Sequence, residues 1–173
     1  MTVSAVTNRT SGTQGTGAVQ TIDFTFPVFS SSEVKVRARN IATGAETLLT
    51  LTTHYTVSLT GTGIPNYTGG SITTTAACYN TYGTGYYFYI YRVTTQTQAT
   101  DLMENDTLPA ETVEARFDKL FAQIADLQEQ INRCIRFPFT DSTALTSEID
   151  NSVDRASKYL KFDSSGNVVV SET

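Results

Sequence analysis

The sequence predicts a mainly β protein with one long helix: a small antiparallel β-sandwich or barrel, then an oligomerising, trimeric coiled-coil helix, then an extended C-terminal connector. Three observations carry this. Short alternating strands separated by turn residues fill positions 21–100. A 4-3 apolar repeat (Val113, Phe117, Leu120, Ile124, Leu127, Ile131, Cys134) runs without interruption from Pro109 to Arg136. The chain after Pro138 is mostly polar. The expected organisation is a flexible arm over 1–20, a β-sandwich domain over 21–100, a linker over 101–108, the coiled-coil helix over 109–136, and a connector with a β-hairpin over 137–173.

Residues 1–20 are rich in Thr, Gly, Ser and Gln and poor in large apolar residues, so they are expected to be mobile or to order only against a partner. Ile22, Phe24 and Phe26 alternate with Asp23 and Thr25, a half-buried strand stopped by Pro27. Val34 and Val36 alternate with Lys35, Arg37 and Arg39 in a second strand. Thr43-Gly44 marks a turn, and extended structure resumes over Thr47 to Leu51. Tyr55, Val57 and Leu59 alternate with Thr56 and Ser58. Gly61 to Gly70 reads as a loop, Ser71 to Ala77 as a strand, and Cys78 to Gly85 as a turn-rich connection. In the last strand, Tyr86 to Val93, Tyr86, Phe88 and Ile90 face one way and Tyr87, Tyr89 and Tyr91 the other. Three tyrosines on one outward face are either a contact surface or covered within the domain, since Tyr suits half-wet surfaces.

The helix is delimited by Pro109 in its first turn and by Phe137-Pro138 after it. Glu111 and Glu114 near its start, and Arg133 and Arg136 near its end, complement the helix dipole. Phe117, Ile124 and Ile131 take the a positions of a heptad, and Val113, Leu120, Leu127 and Cys134 the d positions. Ile at a with Leu at d favours two strands. Phe121 and Ile135 at e widen the stripe, and uncharged Gln123 and Gln130 at g supply no ionic pairing code. A stripe of that width calls for three helices, or for one helix partner plus the β module. The expected self-association residues are Val113, Phe117, Leu120, Phe121, Ile124, Leu127, Ile131 and Cys134. Packing of the helix only on its own domain is the competing reading. Further on, Tyr159 to Asp163 and Val168 to Val170 flank a Ser-Gly-Asn turn and suggest a hairpin.

Charge divides the chain. Residues 1–100 hold five Lys/Arg against three acids, and residues 101–173 hold seven against fourteen, within a net charge of −5. The acidic second part argues against nucleic-acid binding there, and the alternating Lys35, Arg37 and Arg39 read first as a solvated strand face. No apolar run is long enough for a transmembrane helix, so no membrane partner is expected. The N-terminus lacks a secretory pattern, so assembly in a cytoplasm is expected. Cys78 and Cys134 have no CxxC or His partner and read as free thiols. The only histidine, His54, sits at a strand start without a motif around it. The glycines match neither a Walker loop nor a dinucleotide fingerprint. Asp101, Glu104 and Asp106 read as a solvated approach to the helix. No catalytic residue, metal site or cofactor is therefore expected.

The order of these pieces resembles the N-terminal virion-anchoring domain of tail fibres and tailspikes of short-tailed bacteriophages. The matching segments span most of the chain. Phe24-Thr25-Phe26-Pro27-Val28-Phe29 looks like the family's first aromatic strand, and Glu33-Val34-Lys35-Val36 like its second. Thr53-His54-Tyr55-Thr56-Val57 looks like the next, with His54 where an acid is usual. Gly69-Gly70-Ser71-Ile72-Thr73 resembles the strand opened by a glycine pair. Arg92 to Thr95 and Gln98 to Leu102 resemble the exit toward the helix, where Glu114, Phe117, Asp118, Lys119 and Leu120 follow the pattern. Arg155 to Asn167 resembles the segment that precedes a fibre shaft. The resemblance implies a homotrimer in the virion, assembled in the host cytoplasm. It would dock on adaptor- or nozzle-type tail proteins and project a distal fibre or spike. The sequence departs from a complete fibre in stopping at Thr173, so it is expected to be an adaptor or the anchor of a longer fibre. The alternative from another class is a carbohydrate-binding β module with an oligomerising helix, supported by Tyr67, Tyr79, Tyr82 and the Tyr87, Tyr89, Tyr91 face.

Overall fold

Val34, Val36 and Ala38 are buried along one strand while the alternating Arg37 and Arg39 are exposed, and this two-residue alternation sets the architecture of the β region. The computed structural model describes residues 7–61, 67–97, 109–142, 144–145, 149 and 152–171, and divides into two units, Met1–Asn132 and Arg133–Thr173.

The first unit is mainly β, with antiparallel sheets and one long helix. Its strands are β1 (Thr13–Gln14), β2 (Thr21–Phe24), β3 (Val34–Asn40), β4 (Glu46–Leu48), β5 (Tyr55–Thr60), β6 (Gly69–Thr74) and β7 (Tyr86–Arg92). They form a four-stranded sheet in the order β1-β7-β3-β4 and a three-stranded sheet in the order β2-β6-β5. Inward side chains of both sheets join one buried cluster: Val34, Val36, Phe88 and Ile90 from the first, and Ile22, Phe24, Tyr55 and Ile72 from the second. That is how two sheets share a core between facing surfaces. Tyr55 meets the need of a buried hydroxyl by donating to the Val34 carbonyl at 2.9 Å. Close backbone approach explains the glycine pair. A Cβ on Gly70 would collide with the Ser58 carbonyl of β5 and press on the Phe24 ring. Between β3 and β4, the Asn40 side chain accepts from the N–H groups of Ala42 and Thr43, and Gly44 completes the expected turn with φ of 74°.

Two elements differ from expectation in this unit. The end of the strand expected over Ser71 to Ala77 and the start of the turn-rich connection after it form instead a short helix, α1 (Ala76–Thr81), capped by Thr75, whose hydroxyl accepts from the Cys78 N–H. Its Cys78 is fully buried in the core cluster. The arm expected over 1–20 is, from Arg9 to Gly15, paired with β7. Thr13 lies opposite Phe88, Gln14 opposite Tyr87, and Arg9 forms a bridge with Tyr91. Gly12 makes room for the Tyr89 ring, which would lie 2.7 Å from any Cβ placed there. Backbone pairing with β7 orders these residues without the apolar side chains whose absence predicted mobility.

The long helix, α2 (Ala110–Asn132), starts where Pro109 predicts but ends before Arg133. Cys134, Ile135 and Arg136 are therefore not helical, and no basic residue occupies the last turn. A terminal turn held by propensity alone is marginal, and Pro138 disfavours helix at Phe137. The expected linker 101–108, with Asp101, Glu104 and Asp106, lies outside the described residues.

The second unit contains the expected hairpin, β8 (Tyr159–Phe162) and β9 (Val168–Ser171). Its turn is organised by Asp163, whose carboxylate accepts from the N–H groups of Ser165 and Asn167 and from the Asn167 amide. Phe137 meets Phe162 edge to face, with ring centroids 6.3 Å apart.

Candidate functional site: a helix with two committed faces

The inward row of β7 ends on an arginine. Phe88, Ile90 and Arg92 alternate on the core side, so the strand places the Arg92 guanidinium at the rim of the core, 1% exposed. A buried cation needs an acid and full hydrogen bonding. Both come from the chain around it. The Asp126 carboxylate on α2 accepts from Arg92 Nη2 at 2.8 Å and Nε at 3.1 Å, from the Thr94 N–H at 2.9 Å and hydroxyl at 2.7 Å, and from the Asn8 amide at 3.0 Å. Arg92 also donates to the carbonyls of Pro27 at 2.7 Å and Ala122 at 3.3 Å. Burial would raise the Asp126 pKa, but the hydrogen bonds from Arg92, Thr94 and Asn8 outweigh it and hold the carboxyl below its ordinary value. Glu33, also buried, joins the strand exits in the same way. It accepts from the N–H groups of Phe29 and Thr95.

Ala122 and Ala125 flank this cluster on α2 and are buried, and their small side chains let the helix approach the β region closely. Gln123 donates to the Thr95 carbonyl, Lys119 to the Thr97 carbonyl, and Arg9 pairs with Glu129 at 3.4 Å. In heptad terms, Ala122, Ala125, Asp126 and Glu129 are b, c and f residues. The docked face is thus the side opposite the seam.

The apolar repeat itself faces outward. Phe117 is 65% and Ile124 63% exposed, and Leu120, Phe121, Leu127 and Ile131 are exposed as well. Val113 is half-buried, and Cys134, exposed, lies past the helix end. Six of the eight expected self-association residues therefore share one uncovered stripe. The helix does pack on its own domain, as the competing reading expects, but through its polar and alanine face and not through the seam. Sequence reasoning missed Arg92, Asp126, Thr94 and Asn8. The available signal was the pair of alanines at Ala122 and Ala125 on the back of the heptad, beside an aspartate in mid-helix.

A second surface lies on the four-stranded sheet. Register sets Lys35 opposite Tyr91, Arg37 opposite Tyr89 and Arg39 opposite Tyr87, so the basic and tyrosine rows form one outward face. The Arg37 guanidinium donates to the Tyr91 hydroxyl at 3.2 Å and pairs loosely with Glu46 at 3.7 Å. The tyrosines are half-buried, with Gly12 under Tyr89. Of the other tyrosines noted in the sequence, Tyr82 and Tyr67 are used within the unit. Tyr82 packs edge-on against Tyr86 and His54, and Tyr67 bridges to Val28. His54 accepts from the Thr50 N–H through Nδ1 at 3.0 Å. Among the described residues, no three His, Cys, Asp or Glu side chains are grouped to hold a metal ion, and no helix is long and apolar enough to cross a membrane. Neither the protein-family models nor the curated proteins contain a match to this chain.

Proposed function

We propose that this chain is a structural virion protein of a bacteriophage tail, an anchor or adaptor that trimerises through α2 and attaches a fibre or spike to the tail. The observation that carries the reading is the division of labour on α2. One face is tied to the β region by the buried Arg92–Asp126 cluster, and the opposite face offers a 4-3 apolar seam to solvent. A helix bound so firmly on one side has no need of an apolar stripe on the other unless further helices cover it. Ile at a with Leu at d alone would favour two strands, and Phe121, by widening the stripe, supports a third helix in a bundle of identical chains.

In this reading the β region is the docking part. Its outward Tyr87, Tyr89, Tyr91, Arg37 and Arg39 belong to the residue types that concentrate at protein contacts. The C-terminal hairpin would serve the distal fibre or spike. Its exposed Tyr159, Leu160 and Phe162 need a covering surface that a two-stranded hairpin does not provide. The activity is assembly, with no cofactor and no chemical step.

The test is the mass of the native protein by sedimentation, followed by its addition to tail particles lacking it. Trimers that bind the particles in fixed copy number support the proposal. A monomer at tens of micromolar, or trimers that leave the particles bare, would reject it.

A further inference from the structure

A groove of about 600 Å³ runs alongside the seam, between Gln96–Thr97 and the helix flank formed by Arg116, Lys119, Leu120 and Gln123. Its floor reaches Leu127, so Leu120 and Leu127 line the groove and the seam at once, and the two surfaces are continuous. In the heptad, Arg116 and Gln123 are g residues. When two helices pack in parallel, a g residue lies against the e residue five positions later on its neighbour. The residue so paired with Arg116 is Phe121, and the residue paired with Gln123 is Gln128. Phe121 is the only aromatic e residue of α2, and it is 42% exposed.

We propose that the groove is the receptor for Phe121 of a second copy of this chain, packed in parallel register. The inference rests on the self-association proposed above and deepens it by assigning orientation, register and an anchor residue. The chemistry of the groove fits the ring. Leu120 and Leu127 supply apolar contact, and Arg116 and Lys119 supply cations for the face of an aromatic ring. Arg116 Nε is buried and has no hydrogen-bond partner among the described residues. Gln96 and Thr97 lie four and five residues past Arg92, the end of β7, so each Phe121 meets the segment that leaves the strand of its neighbour as well as the helix. The Arg92–Asp126 cluster that aligns α2 with that segment thereby shapes the receptor groove.

The experiment is site-directed cross-linking of the full chain in a Cys134→Ser background under mild oxidation. Arg116→Cys combined with Phe121→Cys places one thiol at g and one at e, which cannot meet within one helix. A covalent ladder of linked chains is expected from this variant and not from either single variant. Gln123→Cys with Gln128→Cys probes the next pair and gives the same ladder. Phe121→Ala, with both cysteine pairs absent, raises the dissociation constant about tenfold or more, the loss typical of an aromatic anchor. Oligomers that form no ladder in either double variant would overturn the parallel register and leave self-association standing. Monomers of the unsubstituted chain at tens of micromolar would overturn both.

Discussion

The Asp126 carboxylate, 34 residues from Arg92 in sequence, receives its guanidinium at 2.8 Å in a site where both side chains are almost free of water. This contact joins the end of the last strand of the sheet to the middle of the long helix. The cost of removing one member follows from the desolvation of the other. Asp126→Ala strands a buried guanidinium and should lower stability by about 3–5 kcal/mol. Replacing both residues by leucine should recover much of that loss. Urea titration of the three proteins measures it, and equal midpoints for Asp126→Ala and the parent would show that the pair contributes nothing.

The same carboxyl gives the molecule an acid limit. Its pKa in the fold lies below the unfolded value of about 3.9. The sign follows from linkage: the contribution is present in full above the unfolded value and is lost as pH falls through the folded one. Thermal melts of the parent and of Asp126→Asn should differ by a constant amount from neutral pH down to about 5 and converge below about 4. A difference that shrinks on the alkaline side would contradict the assignment.

Ile124 lies mid-seam and is 63% exposed in the single chain. Ile124→Asp should therefore leave the fold of the isolated chain within about 0.5 kcal/mol of the parent, yet abolish association by burying a charge between helices. Sedimentation velocity together with circular dichroism separates the two effects. A destabilised monomer would mean that Ile124 packs within its own chain.

Gly70→Ala sets a methyl group against the Ser58 carbonyl and the Phe24 ring at the centre of the three-stranded sheet. Overpacking of this kind costs about 1–3 kcal/mol. The melting temperature should drop, while the sedimentation behaviour of the folded protein stays as it was.

The two thiols should report their surroundings. Burial pushes the Cys78 thiol up to about 11, and the side chain is fully enclosed, while Cys134 is exposed. A thiol reagent at neutral pH should label Cys134 in the native chain and Cys78 only after unfolding. Equal labelling of both would place Cys78 outside the core.

Much of the β region was legible in the sequence because its signals are local. The Val34–Val36 and Phe88–Ile90 alternations, the Thr43-Gly44 turn and the Ser164 to Asn167 turn each act within a few residues, and each appears where its pattern predicts. The apolar stripe from Phe117 to Ile131 was legible for the same reason, since a 3.5-residue period requires only one helix to be read, whereas Cys134 lies past the helix end. Missed were elements whose stability comes from distant partners. The N-terminal arm is, from Arg9 to Gly15, ordered by backbone bonds to β7, which composition does not register. The helix α1 depends on a core position for Cys78.

Periodicity by itself determined that α2 has an apolar side and a polar side. Only the tertiary structure decided which side meets the β region. Hydrophobicity would have sent the seam inward. Instead, Arg92 reaches the rim of the core in strand register, and a cation held there without water must be matched by an acid and closed by hydrogen bonds. Asp126 supplies that match from the polar side, Ala122 and Ala125 allow the approach, and the seam is left facing outward. A buried ion pair between residues so far apart leaves no periodic trace in either segment; the alanines at Ala122 and Ala125 beside Asp126 mark the docked face of α2 in the sequence, but not the partner that it meets.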